Sequence, residues 1–314
     1  MIKVENLSKK FGKHQILKNI DLEIKQGDIY GIIGMSGSGK STLLNLLTDL
    51  LTPDTGKISY KLSELNNFYQ LSQKPEEIKK LFGYSFQDPS FHSMLTVQEN
   101  LEHFATLYGL PKKFGIENTN VLLKLVELDE AKHSLGKDIS GGMQKRLCFA
   151  CSLIHSPKIL FLDEPTSNLD PVLRKETWDI LKKINKNGTT IVIASQLLTE
   201  LETFCDRICI INNGEIIKEG TVDKVKQEYT SNIEIHLESL PGNYDVIIQE
   251  LKEKNLPIPR TLIKESKLII YTPEAEKVLH TLLHIIEKNK ETLLDIDLNK
   301  PSLAEVFESL VSKK

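Results

Sequence analysis

Residues 34 to 41 read Gly-Met-Ser-Gly-Ser-Gly-Lys-Ser and satisfy G-x-x-x-x-G-K-[ST]. Glycines at this spacing let backbone N–H groups turn inward and approach an oxyanion closely. A helix that starts where the loop ends adds the positive end of its dipole, so Gly34, Ser36, Gly37, Ser38 and Gly39 form a candidate phosphate cradle. Lys40 can reach the terminal phosphates of a nucleoside triphosphate, and Ser41 can ligate Mg²⁺. A second group with complementary chemistry lies far along the chain, in Ile-Leu-Phe-Leu-Asp-Glu-Pro at 159–165. A buried strand would carry Asp163 to its carboxyl end, where ligands sit in open α/β sheets. Asp163 is then the candidate for the metal shell, and Glu164 the candidate to polarise an attacking water.

Elements must hold these groups in place. Ile20, Leu22 and Ile24 alternate with Asp21 and Glu23, the period of a half-buried strand, and the first sixty residues read as short strands. The apolar run 29–34 ends in glycine, as a buried strand does before a turn, and 43–51 reads as a helix that stops near Pro53. Residues 95–128 read as helical, with Thr96 as a cap and Val97, Leu101, Phe104 and Tyr108 as the apolar stripe. Val121, Leu122, Leu125 and Val126 mark a second helix in that stretch. Strand patterns return at 159–163 and 189–194 with a helical pattern between them, which predicts a βα-layered core of parallel strands. Residues 207–220 read as a hairpin turning at Asn213-Gly214.

The chain becomes polar over 224–232, a candidate boundary. Beyond it, strand patterns at 233–237, 258–263, 267–271 and 293–298 interleave with helical patterns at 244–254, 274–288 and 301–311. That βαββαβα order predicts a small α+β sandwich.

Composition narrows the classes. Forty basic and forty-three acidic residues leave a net charge of -3, which does not suggest a nucleic-acid binder. No run reaches the about 18 apolar residues of a membrane span. The opening MIKVENLSKKFGK lacks an apolar core, so no secretory signal is expected. Four cysteines in 314 residues are not a disulfide framework and suit a reducing location. Cys148/Cys151 and Cys205/Cys209 are read as packing residues rather than zinc or redox groups. His280 and His284, four apart on a helical stretch, are read as a solvated face.

The segment Ile139-Ser140-Gly141-Gly142-Met143-Gln144 adds a further motif. It resembles the ABC ATPase signature LSGGQ, with Ile for Leu and Met143 at the Gln position. The resemblance spans residues 1 to about 222 in family order. Gln87 in GYSFQDPS resembles the Q-loop glutamine, Ser167-Asn168-Leu169-Asp170 the D-loop, and Phe11 the aromatic that packs on adenine. The resemblance implies an α/β fold with a P-loop ABC ATPase core. That core comprises a parallel sheet, an N-terminal antiparallel β subdomain and a helical subdomain at about 90–150. The ATPase domain is expected over 1–224 and a small α+β accessory domain over 230–314. It also implies ATP and Mg²⁺ as cofactors, with Thr42 beside the phosphates, Ser41, Gln87 and Asp163 around the metal, and Glu164, Gln87 and Gln196 at the reacting centre. Ser140 can cap a helix whose first N–H groups belong to Gly141 and Gly142. In the resembled family that end, with Asp170 nearby, faces the nucleotide of the opposite subunit, so two chains sandwich two ATP molecules.

One position departs. The family pattern ILLSTHLLEEA places a His after this strand, and the chain reads IVIASQLLTEL, with Gln196 there. An amide can donate a hydrogen bond but carries no proton charge, so slow hydrolysis is expected. The ending Pro301-Ser302-Leu303-Ala304-Glu305-Val306-Phe307 resembles that of drug- and polysaccharide-exporter ATPases. The leading expectation is the ATPase subunit of a membrane exporter, peripheral on the cytoplasmic face, working as a homodimer or heterodimer with a separate transmembrane permease and without nucleic acid. Two alternatives stand beside it: a soluble, non-transport ABC ATPase, and an importer ATPase with a ligand-binding regulatory tail.

Overall fold

The computed structural model describes residues 2–61, 68–167, 169–229, 233–264, 266–299 and 302–311. Asn168 of the D-loop pattern and Pro301 of the closing pattern lie outside them. The chain forms two compact units, Met1–Thr221 and Val222–Lys314.

In the first unit, β1 (Ile2–Phe11) and β2 (His14–Ile24) form an antiparallel pair, β3 (Ile29–Ile33) leads to the phosphate loop, and α1 (Lys40–Leu47) follows it. Next come β4 (Thr55–Lys61), β5 (Phe68–Gln70), α2 (Pro75–Lys79), β6 (Phe82–Ser85), α3 (Val97–Leu107), α4 (Lys112–Leu125) and α5 (Gly141–Leu153). The unit is completed by β7 (Ile159–Asp163), α6 (Pro171–Lys186), β8 (Thr190–Ser195), α7 (Leu198–Phe204), β9 (Arg207–Asn212) and β10 (Glu215–Thr221). One sheet has the order β2-β1-β4-β5 and the other β10-β9-β3-β8-β7-β6. In the second sheet β9, β3, β8, β7 and β6 run parallel, and only β10 runs against its neighbour β9.

Alternating apolar residues of β1 and β2 (Ile2, Val4, Leu7, Leu17, Ile20, Leu22, Ile24) share one buried cluster with Leu43, Leu44, Leu46 and Leu47 of α1 and with Ile32, Phe161 and Val192 of the parallel sheet. The helix after the phosphate loop is therefore packed on both sheets, which fixes where its N-terminus points.

Two helix readings need correction. The helix expected over 43–51 runs Lys40–Leu47. Gly39 at φ 108 starts it earlier. Asp49 at φ 61 turns the chain away, and the Tyr60 hydroxyl takes the Leu47 carbonyl, so the helix does not continue toward Pro53. On α3 the buried side is Val97, Asn100, Leu101 and Ala105. Phe104 is only half-buried and Tyr108, at the C-cap, stacks on His155 with ring centroids 3.7 Å apart. Asn100 takes the interior place because its amide holds three carbonyls of the preceding turn, those of His92, Leu95 and Thr96. The Thr96 cap is present as a full capping box with Glu99.

The second unit comprises α8 (Val222–Tyr229), β11 (Ile233–Leu240), α9 (Tyr244–Glu253), β12 (Arg260–Lys264), β13 (Lys267–Thr272), α10 (Ala275–Lys288), β14 (Thr292–Asn299) and α11 (Leu303–Val311). Its antiparallel sheet has the order β12-β13-β11-β14, a split βαβ arrangement. Ile247, Leu251, Val278, Leu282 and Ile285 from α9 and α10 pack on Ile235, Leu237, Leu268 and Ile270 of that sheet. His280 and His284 lie exposed on the far side of α10. Among the described residues no helix is long and apolar enough to cross a membrane.

Candidate active site

Four adjacent strands, β3, β8, β7 and β6, end on one edge of the parallel sheet, and each carries one of the motifs past its last residue. The loop after β3 closes on itself. A side-chain carbon at Gly34 would stand 2.3 Å from Ser38 Oγ and 2.6 Å from the Ile211 carbonyl, so only glycine fits there. At Gly39 the left-handed backbone (φ 108) turns the loop into α1. Lys40 then folds back over the loop, its ammonium donating to the carbonyls of Gly34 (2.9 Å) and Met35 (3.1 Å). Its Nζ stands 4.0 Å from Glu164 Oε1. Burial pulls the Lys40 pKa down, and the carboxylates of Glu164 and Asp163 oppose that.

Asp163 closes β7 and is buried, and burial lifts its pKa, opposed by the Ser41 hydroxyl that bonds it and by Lys40 and Lys145. Its Oδ1 is buried with no hydrogen-bond partner. An anionic oxygen left unpaired in a buried place is costly unless a cation meets it. With the Ser41 hydroxyl beside it, this oxygen donor set suits a hard divalent ion such as Mg²⁺.

Glu164 follows in the left-handed region at φ 46. The conformation is held by Glu164 N–H donating to the Ala194 carbonyl (2.9 Å) and by Ser167 N–H and Oγ donating to the Glu164 carbonyl (3.2 and 2.8 Å). That strained backbone aims the side chain back across the sheet edge. Ser195 Oγ donates to Glu164 Oε2 at 3.0 Å and the Gln196 N–H bonds the same carboxylate. Burial nonetheless lifts the Glu164 pKa above the usual carboxylate range.

A cleft of about 470 Å³ is lined by Phe11, Ser36, Gly37, Gly39, Lys40, Ser41, Thr42, Gln87, Glu164 and Gln196, together with Ile16 and Ser167. Gly34, Ser38 and Asp163 are not among the lining residues: Gly34 and Ser38 close on each other within the loop, and Asp163 is bonded by the Ser41 hydroxyl. Phe11 is 47% exposed, with the Lys9 ammonium 5.6 Å from its ring centre.

Ser140, Gly141, Gly142 and Asp170 are not among the residues lining this cleft. Ser140 caps α5, accepting from Met143 N–H at 3.3 Å, and Asp170 caps α6, accepting from Val172 and Leu173 N–H at 3.0 Å. The two helix starts are packed together, since a side-chain carbon at Gly142 would meet Leu173 Cδ1 at 2.8 Å. Around Gly141 the space is open.

Sequence reasoning missed several groups. Lys145 of α5 is buried and donates to the Gln87 carbonyl, joining the start of α5 to the turn after β6. Arg146 is buried too and pairs with Glu127 and Glu176. Glu200 accepts from Thr166 Oγ1 (2.5 Å) and Trp178 Nε1 (2.8 Å), bracing the chain just after Glu164. Trp178 stacks on Phe204 with centroids 4.4 Å apart. Ser195 and Ile16 carried no local signal. The basic pair Lys145-Arg146 in an otherwise apolar helical stretch was a visible one. All four cysteines are free and buried, and burial lifts the thiol pKa of each.

A family profile described as ABC transporter matches residues 17–167. Among curated proteins, the daunorubicin resistance ATP-binding protein DrrA3 of Streptomyces coeruleorubidus is 29% identical, covering 98% of this chain and 94% of its own. The linearmycin resistance ATP-binding protein LnrL of Bacillus subtilis is 29% identical over 100% and 99% of the two chains. The uncharacterized ABC transporter ATP-binding protein YdbJ of Bacillus subtilis is 34% identical over 84% and 87%. Among solved structures, cbiO1 from Clostridium perfringens, part of an ABC transporter complex, superposes with a TM-score of 0.66 at 30% identity over 72% of this chain and 90% of its own. A dimeric ATP-binding cassette in a post-hydrolysis state bound to ADP and phosphate superposes with a TM-score of 0.62 at 29% identity over 71% and 99%.

Proposed function

The chain belongs to the ATP-binding subunits of ABC transporters, and from that premise we propose which residues do its work and for which partner. It binds and hydrolyses ATP, and the parallel sheet with its phosphate loop is the ABC ATPase core. We assign the triphosphate to the cradle from Gly34 to Thr42, with Lys40 leaving its loop carbonyls to neutralise the terminal phosphates. Phe11, at the rim, is the stacking platform for the base. Ser41, Asp163 and Gln87 would hold Mg²⁺, which when bound screens phosphate charge. The buried Asp163 Oδ1 without a partner supports that assignment. Glu164 is the base that orients and polarises the attacking water, and Gln196, beside it on the cleft, contacts the terminal phosphate.

One observation carries the reading: the ends of β3, β6, β7 and β8 bring Lys40, Gln87, Glu164 and Gln196 onto one cleft. Ser140, Gly141, Gly142 and Asp170 lie away from it, at the starts of α5 and α6. The open space around Gly141 leaves that helix end free to cap a phosphate, so we assign these four residues to the nucleotide of a second ATPase subunit. The transported compound is assigned to the exporter class, since relatives of near-full-length coverage are named for resistance to daunorubicin and linearmycin. In that role the chain lies on the cytoplasmic face of the membrane beneath a separate permease, with residues 1–224 as the motor and 230–314 as an accessory domain.

The test is Glu164→Gln. The amide preserves size and the Ser195 contact but is no base, so ATP stays bound and the sandwich persists. Size-exclusion chromatography with ATP and Mg²⁺ is expected to show a dimer for this variant. A monomeric variant with normal turnover would refute both the base and the sandwich.

A further inference from the structure

The carboxylate of Glu164 is held from one side by a residue that no motif marks. Ser195 is the last residue of β8, buried at 2% exposure, and sits just past the point where Asp163 pairs with Ala194 in the parallel ladder. Its Oγ accepts from Leu197 N–H at 3.1 Å and stands 3.0 Å from Glu164 Oε2. Because an ionised carboxylate oxygen only accepts, the hydroxyl proton is directed at it. The other carboxylate oxygen, Oε1, lies on the Lys40 side, 4.0 Å from Nζ. The backbone at Glu164 is itself strained (φ 46), so the side chain relies on such a contact to stay where the sheet edge puts it. The adjoining side chain, Gln196, carries no ionisable proton.

We propose that Ser195 is a positioning residue for ATP hydrolysis: oriented by Leu197 N–H, its hydroxyl pins Oε2 of Glu164 and leaves Oε1 directed at the water beside the terminal phosphate. The inference rests on the reading of Glu164 as the base. Ser195 touches neither ATP nor the water. It acts on the fraction of time that the carboxylate spends in a productive orientation. Loss of the hydroxyl therefore lowers kcat. It leaves KM for ATP little changed, since Ser195 itself holds no phosphate.

The experiment measures ATPase kinetics on the purified 314-residue chain, as wild type and as Ser195→Ala, Ser195→Thr, Glu164→Gln and Ser195→Ala/Glu164→Gln. Ser195→Ala is expected to lose roughly tenfold in kcat, the scale of one hydrogen bond to a charged group, with KM for ATP changed less than twofold. Ser195→Thr, which keeps the hydroxyl, is expected to recover most of the rate. In the Glu164→Gln background Ser195→Ala is expected to add no further loss. If Ser195→Ala keeps wild-type kcat while Glu164→Gln is inactive, the inference fails and the base stands. The inference also fails if kcat and KM change together, or if Ser195→Thr recovers none of the rate. If Glu164→Gln itself turns over at the wild-type rate, the reading of the base fails first.

Discussion

Replacing Gln196 by His tests the departure from the family pattern at the reacting centre. Gln196 lies exposed on the cleft wall, with its N–H bonded to the Glu164 carboxylate, so a side chain there reaches the space in front of the phosphate loop. An imidazolium at about 4 Å from a phosphate oxygen interacts by about 4 kcal/mol at an effective permittivity of 20. Most of that acts equally on bound ATP and on the transition state, and such uniform binding does not raise kcat. The part that grows as charge develops is on the scale of one preorganised donor, and solvent on an exposed wall reduces it to about 1.4–2.7 kcal/mol. Gln196→His is therefore expected to raise kcat roughly ten- to a hundredfold. The gain should be larger at pH 6 than at pH 8, because an ordinary imidazole is charged only below about 6.5. Steady-state phosphate release at saturating ATP and Mg²⁺, run beside wild type across that range, measures it. An unchanged rate at every pH would show that the side chain at 196 does not reach the developing charge, and the expectation of slow hydrolysis from this substitution would be wrong.

Three further outcomes are expected. Lys40→Ala should abolish hydrolysis and weaken ATP binding, measured by nucleotide titration, because no other lysine lines this cleft among the described residues. Asp163→Asn should lose Mg²⁺-dependent activity yet unfold at higher temperature at pH 7. Burial lifts the folded-state pKa of Asp163, so stability is lost as pH rises from the unfolded value through the folded one, and removing the charge removes that cost and raises Tm. A Tm unchanged or lowered in calorimetry without metal would count against that accounting. Residues 1–221 alone should retain ATP binding, since every cleft residue lies in the first compact unit; a truncated chain that is folded by circular dichroism but does not bind ATP would refute it.

Much of the cleft could be read from residues close in sequence. The phosphate loop is largely local: the close approach of Gly34 to Ser38 and the left-handed turn at Gly39 lie within six residues, and Lys40 and Ser41 follow directly, so types and spacing declare it. The hairpin at Asn213-Gly214 and the capping box at Thr96 and Glu99 are local in the same sense. Alternation of strands and helices was enough to predict a parallel sheet, because period 2 and period 3.6 report which face is apolar. Periodicity does not report which strand lies beside which. Only the order β3-β8-β7-β6 places Lys40, Gln196, Glu164 and Gln87 around one space, and that order is decided by packing on both sheets of the first unit. The same limit hid Ser195 and Lys145, whose partners Glu164 and Gln87 stand 31 and 58 residues away. It also hid the early end of α1, where Tyr60 reaches Leu47 from a neighbouring strand, and the outward turn of Tyr108. Hydrogen bonds across such separations leave no pattern along the chain. They exist because the folded sheet brings two strand ends to one edge, and there the buried donors and acceptors must find one another.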